Sequence, residues 1–136
     1  MPINHKYTLL CDEVRQENNG KFLIIGMYTP DIVLATLPTV MPLTFFSVFD
    51  ADRIGHFALT MKLQHAESGS TLVEARGGLI VQRPGMTVVN ARLPNIMFQA
   101  AGPYQFIMTI EGEAEPIIAQ FQVMLGIRQP LPNQPR

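Results

Sequence analysis

A chain of 136 residues carries 10 Lys and Arg against 11 Asp and Glu, a net charge of −1 with no block of either sign. That balance excludes the clustered basic face with which nucleic-acid binders displace counterions. The length suits one domain that buries roughly two thirds of its unfolded surface without staples, and the single cysteine, Cys11, rules out an intramolecular disulfide.

In chain order, Tyr7 to Gln16 reads as a strand, and Glu17-Asn18-Asn19-Gly20 as a tight turn, because Asn-Gly supplies positive φ angles. Lys21 to Tyr28 is a continuous apolar run, the pattern of a central strand. Thr29-Pro30-Asp31 breaks it, and Ile32-Val33-Leu34 suits a short edge. Leu37 to Met41, followed by Pro42, reads as a crossover, since proline has no amide to donate to a ladder.

Thr44 to Asp50 is the next strand. His56 to Gln64 alternates, with Phe57, Leu59, Met61 and Leu63 inward. Ala66 to Ser70 closes a hairpin to Thr71–Arg76, and Gly77-Gly78 suggests a bulge before Leu79 to Gln82. Arg83-Pro84-Gly85 turns the chain into Thr87 to Leu93. Ile96-Met97-Phe98 follows as a looser patch, with room for one helical turn over Phe98 to Ala101.

The clearest pattern comes last. Tyr104, Phe106, Met108 and Ile110 oppose Gln105 and Thr109; Ala119, Phe121, Val123 and Leu125 oppose Gln120 and Gln122. Strict alternation is what a half-buried strand requires, because successive side chains leave opposite faces of the pleat. Eight or nine strands with turns every 8–12 residues predict an all-β fold, an antiparallel immunoglobulin-like β-sandwich. One domain spans residues 1–127, and a proline-rich tail follows over 128–136.

Chemistry-bearing residues are few. Tyr104, after Gly102-Pro103, resembles a tyrosine corner, a structural device. Cys11, Glu13 and Arg15 share one strand face, so a buried cysteine beside a Glu13–Arg15 pair is the expectation, also structural. His56 and His65 on one strand stand some 30 Å apart, whereas zinc holds its ligands at about 2.0–2.3 Å from one point. Asp50-Ala51-Asp52 opens like a calcium loop, but Ile54 and Met61 occupy positions that need oxygen ligands. Glu111, Glu113 and Glu115 read as solvated charge at a hairpin tip. No metal, no cofactor and no catalytic set is therefore expected.

Outward on the last hairpin, Ile107, Ile118 and Met124 interrupt the polar positions and are candidate partner contacts. Charged residues make up only 15% of the chain, below the usual ~25%, which favours self-association. The start has no basic region leading into an apolar stretch, and no apolar run approaches the ~18 residues of a membrane span. A cytoplasmic protein is expected, without nucleic-acid or membrane partners.

Leu10-Cys11-Asp12-Glu13-Val14-Arg15-Gln16-Glu17, then Gly20 to Tyr28, resemble the opening of a family of small bacterial proteins known only as a domain of unknown function. Its members share a Cys-Asp-x-(Val/Ile)-Arg start, a Gly-Lys hairpin ending in Ile-Gly-x-Tyr, and a late Gly-x-Tyr-x-Phe strand. The resemblance spans most of the chain and implies a compact β-rich domain without an assigned activity or transferable site residues. The expected function is thus a non-catalytic protein-interaction or structural module that self-associates. The alternative is a lectin-like small-ligand binder using loops at one end of the sandwich, weakened by the absence of Trp.

Overall fold

The computed structural model describes residues 3–29 and 31–127. Nine strands appear there: β1 (Ile3–Gln16), β2 (Phe22–Tyr28), β3 (Ile32–Leu34), β4 (Thr39–Ala51), β5 (Gly55–His65), β6 (Thr71–Val81), β7 (Gly85–Phe98), β8 (Gly102–Ile110) and β9 (Ile117–Leu125). There is no helix among the described residues, so the turn of helix expected at Phe98 to Ala101 is absent; Phe98 ends β7 instead. The strands form two sheets, ordered β2-β1-β4-β7 and β3-β9-β8-β5-β6. Runs β1-β4-β7 and β5-β8-β9 follow the A-B-E and C-F-G orders of an immunoglobulin sandwich.

Apolar alternation builds the space between the sheets. Phe45 of β4 is aligned with Leu10 of β1 and Ala91 of β7, all on one face. Its ring stacks on Phe106 of the opposite sheet at 4.0 Å, and both are fully buried. A part-buried hydroxyl chain reaching into this layer is satisfied. Thr8 Oγ1 lies 2.8 Å from His5 Nε2 and 2.8 Å from Ser47 Oγ, which donates weakly to Met108 Sδ at 3.8 Å. Buried polar groups need such partners, because an unpaired one keeps its full desolvation cost.

Several expectations are corrected. The apolar run of β2 is not central: β2 is the outermost strand of its sheet, paired only with β1. β3 pairs with β9 in parallel, so the sandwich is not wholly antiparallel. Pro42 lies inside β4, and the Ile96–Phe98 patch inside β7, rather than in a crossover and a loop. The reason is a shift in register. Met41 faces Ile96 but Leu43 faces Leu93, which leaves Pro42 opposite Pro94 and Asn95. Two residues that cannot donate to a ladder thus occupy one bulge, where no ladder bond is required of them. Gly77 and Gly78 run straight through β6 opposite Leu59 and Ala58 without a bulge. The tail over 128–136, and Pro30 in the break before β3, lie outside the described residues.

The β1–β2 hairpin is bent. Phe46 is aligned with Leu9 of β1, and Phe22 with Gln16, seven residues further along the same strand. On a straight strand that separation is about 23 Å, yet the Phe22 and Phe46 rings are 5.1 Å apart. The hairpin therefore curls back over the outer face of β4. Gly26, at φ +67°, sits within the curl beside Asp12, and a Cβ there would overlap the Asp12 carboxylate. Only glycine accepts both that backbone angle and that contact.

Candidate interaction surfaces

A sheet edge presents unpaired amides and carbonyls, and folded proteins blunt it with charge, proline, bulges or cover. β6 and β7 close on one another, with Thr87 Oγ1 donating to the Ile80 carbonyl at 3.3 Å. β3 is three residues long. The free side of β1 carries Lys6 at a register shift between His5 and Tyr7, and charge and bulge both discourage pairing. β2 has neither. Between Phe22 and Tyr28 there is no charge and no proline. Leu23, Ile25 and Met27 are 49%, 36% and 53% exposed on one face, and Phe22 is 38% exposed on the other.

Charge lies beside β2 on β1, where Glu13 and Arg15 are aligned with Ile25 and Leu23 and Asp12 sits beside Gly26. At the start of β2 the Lys21 amide is fixed by Asn19 Oδ1 at 3.0 Å, while its ammonium has no partner among the described residues. At its far end the Tyr28 hydroxyl donates to the exposed Asp12 carboxylate at 3.1 Å. The strand itself is apolar along its length.

The outward residues singled out from the sequence are only partly assembled. Ile107 and Ile118 face each other across β8 and β9. Met124 is six residues further along β9, aligned with Val33 of β3, about 20 Å away. The three do not form one patch. Glu13 and Arg15 pair at 3.2 Å on an exposed surface, where such contacts contribute little. Cys11 is fully buried, with its sulfur 3.9 Å from the Thr44 carbonyl. Burial, and next the Asp12 charge, push its thiol above the ordinary value. The residue is thus held as a thiol, the opposite of an activated thiolate.

Tyr104 is buried at the start of β8 and donates to the Ala100 carbonyl at 2.6 Å, the geometry of a tyrosine corner. Burial raises its phenol above the ordinary value. Beside it is a cleft of about 360 Å³ at one end of the sandwich, between the β5–β6 and β7–β8 loops. His65 joins those loops: the Ser68 amide donates to Nδ1 at 3.3 Å, and Nε2 lies 3.2 Å from the Ala101 carbonyl. An accepting Nδ1 places the ring hydrogen on Nε2, which then donates to Ala101. The cleft is completed by uncharged polar groups, Ser70, Thr71, Asn95 and Gln99, over Leu72 and Met97. The sequence marks none of these residues, because loop polarity carries no periodic signal.

The remaining candidates are dispersed. His56 and His65 both lie on β5 and His5 on the other sheet, and no group of three metal-ligating side chains occurs among the described residues. Glu111 is not merely solvated: its carboxylate accepts the Ala58 amide at 3.0 Å and ties the acidic tip to β5. No helix of the described residues is long and apolar enough to cross a membrane.

Fold and corner together define a two-sheet β-sandwich with an apolar edge strand. The chain belongs to the family of unknown function DUF6941, whose model matches residues 6–123. No curated protein matches it. Among solved structures it is similar to the Pseudomonas fluorescens alkylpurine DNA glycosylase AlkC, bound to DNA containing an abasic site analog. The TM-score is 0.53 at 7% identity, over 90% of this chain and 30% of that one. It is also similar to a β-glucosidase from Listeria innocua, with a TM-score of 0.50 at 13% identity, over 91% of this chain and 16% of that one. The chain thus spans less than a third of either relative, and the likeness is one of fold.

Proposed function

We propose that this protein is a non-catalytic interaction module that self-associates, and that it works by accepting an added β-strand along β2. The observation that carries this reading is the exposed, uncharged edge from Phe22 to Tyr28. In strand addition the backbone ladder gives affinity and alternate side chains give specificity; Leu23, Ile25 and Met27 form the alternate row here. A net charge of −1 keeps long-range repulsion from opposing contact between copies. The buried, protonated Cys11 accords with a reducing, cytoplasmic setting.

The edge is tested by titrating 15N-labelled protein with a strand-forming peptide of alternating Val and Thr. Amide shifts confined to residues 22–28 support the reading; their absence at high peptide concentration removes it.

A second reading rests on the loop-end cleft, whose volume falls within the usual ligand range. Its uncharged donors and acceptors suit a neutral, hydroxyl-rich small molecule. A melting-temperature screen with neutral saccharides supports it if a hit is lost in Asn95→Ala or Gln99→Ala, and the absence of any hit removes it.

A further inference from the structure

We infer that the outward face of β5, β6 and β8 holds a site for an acidic saccharide, a sugar ring bearing one carboxylate and several hydroxyls. Register assembles it. Across that face Glu74, Lys62 and Ile107 are aligned in one row, and Arg76, Thr60 and Thr109 in the next. A hollow of about 490 Å³ is lined chiefly by these six residues. Lys62 and Arg76 stand on a diagonal, where strand neighbours are about 7–8 Å apart and long side chains still meet. Neither makes an ion pair among the described residues, although Glu74 is aligned with Lys62. Glu111, two residues beyond Thr109, is already engaged by the Ala58 amide.

What surrounds the two cations sets the chemistry of the ligand. An Arg fork beside a Lys point charge suits a carboxylate. Glu74 next to them opposes a second negative charge, such as that of a phosphate ester at neutral pH, yet accepts hydroxyl hydrogens. Thr60 and Thr109 both donate and accept. Gln64, Gln105 and Gln120 continue this polar grid as one row aligned across three strands, and their amides suit further hydroxyls. Ile107, half-buried and aligned with Ile118, supplies an apolar floor for the C–H face of the ring. The site lies apart from the β2 edge, which belongs to the other sheet, and shares no residue with the loop-end cleft.

The experiment is titration of the 15N-labelled full chain, at pH 7 and low salt, with glucuronate, glucose and glucose 6-phosphate. Glucuronate shifts the amides of residues 60–62, 74–76 and 107–109, while the neutral sugar and the phosphate ester leave them in place. Arg76→Ala and Lys62→Ala keep the wild-type spectrum elsewhere, and each weakens glucuronate binding roughly tenfold, the loss of one charge-assisted bond. Glu74→Gln admits glucose 6-phosphate at the same amides, because the opposing charge is gone. Amides that glucuronate leaves unmoved overturn the inference, as does equal affinity in wild type and both cation variants. Equal shifts with glucose 6-phosphate in wild type overturn the choice of a carboxylate. Shifts confined to residues 65–72 and 95–100 assign the sugar to the loop-end cleft and overturn this site.

Discussion

Tyr104→Phe removes one oxygen from the best-buried corner of the molecule and isolates one hydrogen bond. The ring stays packed against Phe98 at 5.2 Å and Phe121 at 5.7 Å, so no cavity opens. What is lost is the 2.6 Å bond to the Ala100 carbonyl, and a net intramolecular bond contributes about 0.5–1.5 kcal/mol. Ala100 is exposed, so water can satisfy its carbonyl in the variant and the cost stays within that range, near 1 kcal/mol. For a domain of this size that is a fall of roughly 3–5 °C in Tm. In urea the midpoint falls by about 0.5 M with an unchanged slope. Tyr104→Ala also discards the ring contacts and costs about 3–5 kcal/mol. A Tyr104→Phe variant within ~0.3 kcal/mol of wild type, inside the range of a neutral surface change, would refute the corner as a stabilising device.

Other outcomes rest on single contacts. Gly26→Ala forces a φ of +67° on a residue with a Cβ and displaces the Asp12 carboxylate; it costs about 1–2 kcal/mol for the backbone alone, and Asp12→Ala in addition does not restore it, as urea melts will show. Cys11 resists alkylation by iodoacetamide in the folded state and reacts at once in denaturant, because it is buried as a thiol. Its raised value also means that stability is complete below the unfolded pKa and declines as pH rises past it, a loss that Cys11→Ala abolishes. His5 behaves oppositely. Burial lowers its value, outweighing a hydrogen bond that the ring donates to the Tyr7 backbone, so its contribution is present above the ordinary value near 6.5 and lost as pH falls through the folded one. Urea midpoints between pH 7 and 5 fall in wild type and fall less in His5→Gln.

The sequence was most readable where one side of a strand faces the core and the other faces water. Tyr104 to Ile110 and Ala119 to Leu125 alternate, and both are strands with the apolar set mostly buried. Tyr104 was legible too, since a corner needs only a local Gly-Pro-Tyr and the carbonyl four residues earlier. β2 was not. A run such as Phe22 to Met27 reads as buried on both faces, and whether a neighbour lies beyond it depends on which strand comes next in space. Here the chain leaves for β3 in the other sheet, and no strand of the described residues pairs with the far side of β2. Pro42 was not legible for the same reason. Alone it is a strand breaker, and only its opposition to Pro94 and Asn95 across β4 and β7 makes one tolerated bulge. Met124 stands apart from Ile107 and Ile118 because shared outward polarity fixes a face but not a distance along it.

The most direct measurement is amide hydrogen exchange, followed peptide by peptide, at dilute and concentrated protein. On this account the segment from Phe22 to Tyr28 becomes protected as concentration rises, while the loops around His65 and the strands bearing Ile107 and Ile118 exchange unchanged. Protection that grows at those other sites, with the β2 amides exchanging equally fast at both concentrations, would contradict it.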